Sequence, residues 1–322
     1  MNYTQLAENE RYQIYALKAS GLSQKRIAEQ LGRSESTISR ELKRNKGLRG
    51  YRPKQAQGLS QKRKVNAFKR VKLTVEVREL VELLIKKDFS PEQVCGALKR
   101  ERGISLHHET VYQFLYEDKR KGGDLYTHLR IASKPYRKRY GSYDRRGKIK
   151  DKVSIDLRPA IVEAKSRIGD WEGDTIIGKG KQGALLTMVE RKTLYTVIVR
   201  LSGKHSKPLA DRLIASMKSF QGQIHTITFD NGLEFSAHQL MAKKLSTNIY
   251  FAHPYASWER GINENTNGLI RQYFPKGTNF FEITDDQVKT VMNRINDRPR
   301  KTRAYKTPNE MFLGQPANLL AA

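Results

Sequence analysis

The feature that most constrains this chain is the stretch from Gly169 to Gly268, which carries acidic residues in three different local settings. Asp174 lies inside a β-rich run. Asp230 ends a second β-rich run and is followed by Asn-Gly, a strand-to-turn signal that leaves the aspartate at an exposed strand end. Glu264 lies at the start of a helical pattern. Two strand carboxylates and one helix carboxylate can hold a pair of divalent ions over a phosphodiester.

Clustered carboxylates need a cation beside them. Without one they repel each other, and one or more would keep its proton. Mg²⁺ prefers oxygen ligands and keeps several waters, so a few carboxylates and substrate phosphate oxygens complete its shell. Two such ions about 4 Å apart can stabilise both the attacking and the leaving oxygen of an in-line displacement. We therefore predict a metal-dependent catalytic site.

Other acidic residues compete for the same roles. Asp170 and Glu172 share a strand face with Asp174, because residues at even spacing point the same way, so spacing does not choose among the three. The rivals of the other two candidates are Glu234 and Glu259. We interpret both of these as solvated residues or as residues that support a metal ligand.

The helical pattern around the third acid has one polar face. At positions i, i+4, i+7 and i+11 this face carries Arg260, Glu264, Asn267 and Arg271. The two cations and the amide predict DNA contacts beside the catalytic carboxylate, from Arg260, Asn267 and Arg271.

These motifs resemble a known family. The segments W-E-G-D at 171–174, F-D-N-G at 229–232 and N-E-N at 263–265, with 33 residues between the last two acids, resemble the DDE transposases of bacterial insertion sequences. The insertion sequence thirty family is the most similar, and the resemblance covers nearly the whole chain. It implies a ribonuclease-H-like core, dependence on Mg²⁺ or Mn²⁺ with two ions, and Asp174, Asp230 and Glu264 as catalytic residues and metal ligands. It also selects Asp174 over its rivals, because the family motif has its aspartate there.

Charge and cysteine content narrow the class of protein. The formal net charge is +28. Residues 1–150 hold 36 Lys and Arg against 16 Asp and Glu, a net of +20, and residues 151–322 hold 25 against 17, a net of +8. This asymmetry predicts a polyanion bound mainly by the first half. No apolar run approaches the 18 or so residues of a spanning helix, and a signal-peptide core is missing, so no membrane role is expected. The single Cys95 excludes an internal disulfide and a paired-cysteine zinc module, and suits a reducing cytoplasm.

Residues 1–45 predict a helix-turn-helix domain. Helices are expected over 6–18, 24–31 and 35–44, with serine N-caps before the second and third and a glycine turn between them. Short polar and basic side chains on and beside the last helix suit contacts in a major groove. The candidates are Arg33, Ser36, Thr37, Arg40 and Lys43. The alternative is a small helical bundle with a solvated face, and the basic charge favours DNA binding.

The remaining segments divide as follows. Residues 46–71 and 119–165 are basic and poor in apolar periodicity, which predicts linkers that follow DNA phosphates. The basic and aromatic run over 134–140 fits stacking on nucleic acid and an extended linker equally well. Residues 72–118 repeat the three-helix pattern and predict a second helix-turn-helix domain, for which a protein-contact role is a live alternative.

Residues 166–322 predict the catalytic core. Three β-rich runs are followed by helix, strand, helix, strand and helix, the order of an α/β ribonuclease-H-like fold with a mixed sheet covered by helices. Trp171 and Trp258 could be stacking platforms, but we interpret both as buried core or packing residues, because large aromatic side chains are mostly buried.

Together these features predict a DNA transposase of the bacterial cytoplasm, associated with the nucleoid. We expect the first helix-turn-helix to bind the terminal inverted repeats of a mobile element. The core would then cleave the strand and direct its 3′-hydroxyl to target DNA. Synapsis of two ends implies a homodimer or a larger assembly. The alternatives are a transcriptional regulator without catalysis, which leaves the acidic triad unexplained, and a ribonuclease-H-type nuclease on RNA–DNA hybrids.

Overall fold

The computed structural model describes residues 5–66, 73–130, 149–254 and 256–320. The chain divides into two units, residues 1–71 and residues 72–322. The basic and aromatic run over 134–140 lies outside the described residues. Within the described ranges, no helix combines the length and the apolar character that crossing a membrane requires.

The first unit begins with the three predicted helices, which are confirmed. They are α1 (Glu8–Ala19), α2 (Gln24–Leu31) and α3 (Glu35–Arg44). The hydroxyls of Ser23 and Ser34 accept hydrogen bonds from backbone amides of α2 and α3 and so begin these helices. Gly32 ends α2 in the left-handed region, at a φ of 59°, where glycine carries no side-chain strain. Ile14, Ile27 and Ile38 form the fully buried centre.

The prediction of a linker after this bundle was wrong for much of its length. A short hairpin, β1 (Lys46–Gly47) and β2 (Gly50–Tyr51), leads into a helix, α4 (Pro53–Asn66). Its contacts to α1 are largely polar. The buried guanidinium of Arg11 donates to Gln57 at 2.6 Å and to Ser60 at 3.3 Å, and it pairs with Glu41 at 2.8 Å. A helix held in this way shows little apolar periodicity, which is why its sequence resembles a linker.

The second unit also begins with a confirmed three-helix pattern, α5 (Val75–Lys86), α6 (Pro91–Arg102) and α7 (His108–Arg120). This bundle packs on the rest of the unit through charged and polar contacts. Asp88 accepts hydrogen bonds from Tyr273 and Arg294, both at 2.9 Å, and Arg100 pairs with Glu310 at 3.0 Å. The second helix-turn-helix pattern therefore belongs to the same unit as the core.

The core is a mixed sheet with helices on both faces. In chain order its elements are α8 (Ala160–Glu163), β3 (Asp170–Ile177), β4 (Ala184–Glu190), β5 (Thr196–Leu201), α9 (Ser206–Met217), β6 (Thr226–Phe229), α10 (His238–Leu245), β7 (Asn248–Phe251), α11 (Gly261–Tyr273), α12 (Asp285–Asn296) and α13 (Pro308–Leu313). The strand order is β5-β4-β3-β6-β7. Strands β3, β4 and β5 form an antiparallel meander, and β6 and β7 add in parallel to β3.

Two apolar clusters hold the sheet between its helices. On one face, Leu209 and Leu213 of α9 pack with Ile227 and Phe229 of β6. On the other, residues of α11 and α12 pack with strand residues such as Leu185. This arrangement confirms the ribonuclease-H-like fold and puts the carboxyl end of β6 beside the middle of β3, at the centre of the sheet.

Candidate active site

Strand register brings the first two predicted acids together. The parallel strands β3 and β6 pair Glu172 with Thr228. Two residues further along in both strand directions, Asp174 therefore lies beside Asp230. The two carboxylates are partly open to solvent, with 22% and 34% of their side-chain surfaces exposed. Two acids that are far apart in sequence are therefore neighbours, one in the middle of β3 and the other directly after the carboxyl end of β6.

The side chain of Arg260 lies against both of these carboxylates. Its Nη1 is 3.6 Å from Oδ1 of Asp174, its Nη2 is 3.5 Å from Oδ2 of Asp230, and Nη1 also donates to the carbonyl of Gly173 at 3.2 Å. Arg260 was predicted to contact DNA. In the structure it is a cation that neutralises the aspartate pair.

The electrostatic environment of Asp174 and Asp230 favours a cation beside them. Burial raises the pKa of Asp174 and the nearby charge of Asp230 raises it further, while the guanidinium of Arg260 opposes both effects. Burial and the neighbouring negative charge both disfavour the ionised form of Asp174, and a cation beside the pair would offset the repulsion between the two carboxylates. The donor set therefore fits a hard divalent ion in its chemistry.

Helix α11 supplies a further contact to Asp174. The side-chain amide of Asn267 donates from Nδ2 to Oδ2 of Asp174 at 2.8 Å, and the hydroxyl of Thr187 on β4 donates to the amide oxygen at 3.1 Å. Asn267 was predicted to contact DNA, and the structure places it on a candidate metal ligand. Thr187 was not predicted, because nothing in its sequence context marks a core-facing strand threonine as part of a site.

Glu264 lies on the same helix, four residues after Arg260 and three before Asn267, and its side chain is exposed. The helix thus brings it to the face that contacts the aspartate pair. Across the described ranges, no group of three or more His, Cys, Asp or Glu side chains is close enough together to hold a metal ion. The structure therefore brings Asp174 and Asp230 together, but among the described residues it does not bring Glu264 close enough to share a metal ion with them.

Neighbouring interactions separate Asp174 from its rivals on β3. Asp170 is buried and accepts hydrogen bonds from Arg167 and Thr226. Glu172 is buried in an ion pair with Arg191 at 2.5 Å. Both rivals are thus engaged in interactions within the protein, which even spacing along a strand does not reveal.

The rivals of the other two acids also have partners. Glu234 accepts a hydrogen bond from Thr175 at 2.8 Å and pairs with Lys204. Burial tends to raise the pKa of Glu234, but Lys204 and Thr175 outweigh it and the pKa is lowered. Glu259 pairs with His253 at 2.8 Å. Lys204, which also lowers the pKa of Asp174, was missed from sequence because it stands in a loop with no motif around it.

Comparison with known proteins decides the family. The chain is 46% identical over 309 residues to the transposase for insertion sequence element IS4351 of Bacteroides fragilis, with 95% of each chain covered. It is 35% identical to transposase InsI for IS30A of Escherichia coli K12, covering 95% of this chain and 83% of that one. The chain belongs to the insertion sequence thirty family of transposases. The family assignment made from the three sequence motifs is confirmed.

Two further comparisons concern a family profile and solved structures. A family profile described as a helix-turn-helix domain matches residues 2–45. Among solved structures, the chain is similar to a simian T-cell lymphotropic virus intasome chain (20% identity, 47% of this chain and 56% of that chain, TM-score 0.39). It is also similar to the catalytic core of bovine immunodeficiency virus (BIV) integrase (16% identity, 45% and 94%, TM-score 0.37).

The DNA-binding candidates of the transposase occupy different settings. Ser36, Arg40 and Lys43 are exposed along α3, and Thr37 is half-buried beside them. Arg33 pairs with Glu10 at 2.8 Å. In the core, Arg271 donates to the carbonyls of Phe274, Pro275 and Ile177. The exposed cations of α3 are thus open to a partner, while Arg33 and Arg271 already make contacts within the protein.

Proposed function

We propose that this transposase cleaves DNA at the ends of its element, and joins the released 3′-hydroxyl to target DNA, at a site formed by Asp174, Asp230 and Glu264. The observation that carries this proposal is the placement of Asp174 beside Asp230 against a single guanidinium. Two carboxylates held together on adjacent parallel strands, beside one cation, suit a divalent ion and a phosphate.

The three acids would hold Mg²⁺ or Mn²⁺, as two ions. When bound, the metal activates the attacking oxygen and stabilises the leaving oxygen, so no protein nucleophile is required. Asn267 orients the Asp174 carboxylate through its 2.8 Å hydrogen bond. Arg260 lies against both aspartates in the metal-free protein and would contact a DNA phosphate when a metal is bound. Glu264 would supply the third carboxylate from α11.

The first unit would hold the terminal inverted repeats of the element. Exposed Ser36, Arg40 and Lys43 present donors along one helix, with Thr37 beside them. Arg33 and Arg271 would assist through phosphate contacts. Because two element ends must be brought together, we propose a homodimer or larger assembly on DNA. We place the protein in the bacterial cytoplasm, with the nucleoid that holds its substrate.

The test is a cleavage and joining assay with DNA that carries the inverted repeats flanking the gene. Wild-type protein should nick these ends in the presence of Mg²⁺ or Mn²⁺ and join them to a target duplex. Asp174→Asn, Asp230→Asn and Glu264→Gln should each abolish nicking and keep binding, and Glu282→Gln, at an exposed acid on another loop, should retain it. Wild-type activity in any one of the first three variants would remove that residue from the site.

Control substrates separate the other functions. If the wild-type protein binds the inverted repeats but does not nick them, the result would support a transcriptional regulator. Cleavage of RNA–DNA hybrids without strand joining would support a nuclease of the ribonuclease-H type.

A further inference from the structure

One of the two tryptophans is exposed. Trp171 is 1% exposed and packs against Tyr195, Phe220 and Phe312, whereas Trp258 is 77% exposed. The expectation that both are buried was therefore wrong for Trp258. Leaving the largest apolar side chain in water forgoes a large burial energy, which makes an exposed tryptophan a candidate contact for a partner.

Trp258 is presented from a fixed turn. It lies in a 3-10 turn, Ser257–Arg260, that leads directly into α11. The next residue, Glu259, accepts hydrogen bonds from the backbone of His253 at 2.9 Å and shares a second contact with its ring at 2.8 Å. On the other side, Ala256 is buried. The hydrogen bonds of Glu259 to His253 therefore position the backbone from which the exposed indole ring projects.

The position of this turn ties the ring to the candidate active site. Trp258 precedes Arg260 by two residues, and the Arg260 side chain lies against Asp174 and Asp230. Trp258 therefore belongs to the same short segment as a side chain that contacts the aspartate pair.

The ring also lines a cleft of about 300 Å³ with net positive character. All three acids of the cleft have partners in the protein. Glu163 pairs with Arg158 and Arg191, Glu172 pairs with Arg191, and Glu259 pairs with His253. Arg303 also lines the cleft and donates only to carbonyl oxygens in the described part of the chain, so its charge is not compensated by an acid there. An aromatic face beside an uncompensated cation is the combination that binds a nucleotide, with the base on the ring and the phosphate on the charge.

We propose that Trp258 stacks on an unpaired base of the DNA strand held at the candidate active site, with Arg303 near the adjoining phosphate. The inference rests on the proposed function, because it takes the substrate of that site to be DNA. Stacking on an indole tolerates every base, so Trp258 acts on strand opening and position and not on sequence choice.

The first experiment measures how accessible the indole of the full-length protein is to acrylamide. Tryptophan fluorescence is measured for the wild-type protein and for Trp258→Phe, which keeps the buried Trp171. The difference between the two signals is the emission of Trp258. A mixed-sequence duplex with a short single-stranded overhang should at least halve the quenching of Trp258 by acrylamide. A blunt duplex of the same sequence, with binding confirmed by anisotropy, should protect it less. Equal accessibility with and without bound overhang DNA would overturn the proposal, and so would protection that grows with protein concentration in the absence of DNA.

The second experiment compares affinities. Trp258→Ala should weaken binding of the overhang duplex by about tenfold and leave blunt-duplex binding unchanged, while Trp258→Phe keeps most of the affinity. Phe281→Ala removes another exposed aromatic side chain and should change neither affinity. Wild-type affinity of Trp258→Ala for the overhang duplex would contradict the inference.

The two proposals fail separately. Protection of Trp258 should persist in Asp174→Asn, which tests binding without cleavage. If Asp174→Asn cleaves like the wild type, the proposed catalytic site fails while the stacking result stands. If the triad variants lose cleavage but Trp258 stays accessible on DNA, only the stacking inference fails.

Discussion

Asn267 donates a hydrogen bond to Asp174, from Nδ2 to Oδ2 over 2.8 Å, and this contact joins helix α11 to strand β3 at the candidate active site. The hydroxyl of Thr187 at the amide oxygen of Asn267 fixes which end of the amide faces the carboxylate. A residue predicted to contact DNA thereby becomes one that positions a candidate metal ligand.

Loss of this amide should slow cleavage without unfolding the protein. We expect Asn267→Ala to lower the metal-dependent cleavage rate by about 10- to 100-fold, because groups that orient a ligand have effects of this size. Asn267→Asp should lower it further, since it adds a like charge beside Asp174. Single-turnover cleavage at saturating DNA measures the effect, with Asn293→Ala on an exposed face of α12 as the control. Wild-type rates in Asn267→Ala would exclude the positioning role.

Removing the guanidinium between the two aspartates should change both stability and metal binding. We expect Arg260→Met to lower the free energy of unfolding of metal-free protein by about 1 kcal/mol, the upper range for partly exposed ion pairs. Mn²⁺ should bind the variant more tightly, because the competing cation is gone. Thermal unfolding in chelator and across a Mn²⁺ titration measures both quantities. Arg200→Met, which removes a pair with exposed Asp285, serves as the control, and unchanged Mn²⁺ affinity in Arg260→Met would contradict the competition.

The buried ion pair between Glu172 and Arg191 should contribute to the stability of the fold and not to cleavage. Glu172 and Arg191 are almost fully buried and 2.5 Å apart. Arg191→Ala would leave Glu172 buried without its ion-pair partner, so we expect a loss of about 3–5 kcal/mol in the free energy of unfolding, measured by urea denaturation. Arg200→Ala should cost about 1 kcal/mol or less. Glu172→Gln should retain metal-dependent cleavage. If the folded variant instead loses cleavage completely, Glu172 would be a better candidate than Asp174 for the catalytic acid on β3.

The turn that carries Trp258 should respond to pH through His253. Hydrogen bonds and charge from Glu259, then Asp156, raise the pKa of His253. A raised folded-state pKa means that the stabilisation is fully present below the ordinary value of 6.5 and is lost as pH rises through the raised value. The stability difference between wild type and His253→Gln should therefore be largest in mild acid and shrink in alkali. Denaturation at a series of pH values checks this, and a difference that grows with pH would refute it.

Local sequence determined the elements of this protein. Serine caps, glycine turns and apolar spacing placed α2, α3 and α5 because these signals act within a few residues. The same locality explains the error over residues 53–66, where a helix is held by Arg11, a residue more than forty positions away. Trp258 shows the opposite error. Its residue type favours burial, and only the tertiary structure shows that its side chain is exposed.

The three motifs, with their spacing, determined the family and the candidate acids, but only the tertiary structure decided how those acids are related. Parallel pairing of β3 with β6 puts Asp174 beside Asp230, and the register of α11 puts Arg260 and Asn267 on them. Ion pairs engage Asp170 with Arg167 and Glu172 with Arg191 within the protein. The physical reason is that charge interactions depend on distances across the fold, which alternation along one strand does not encode.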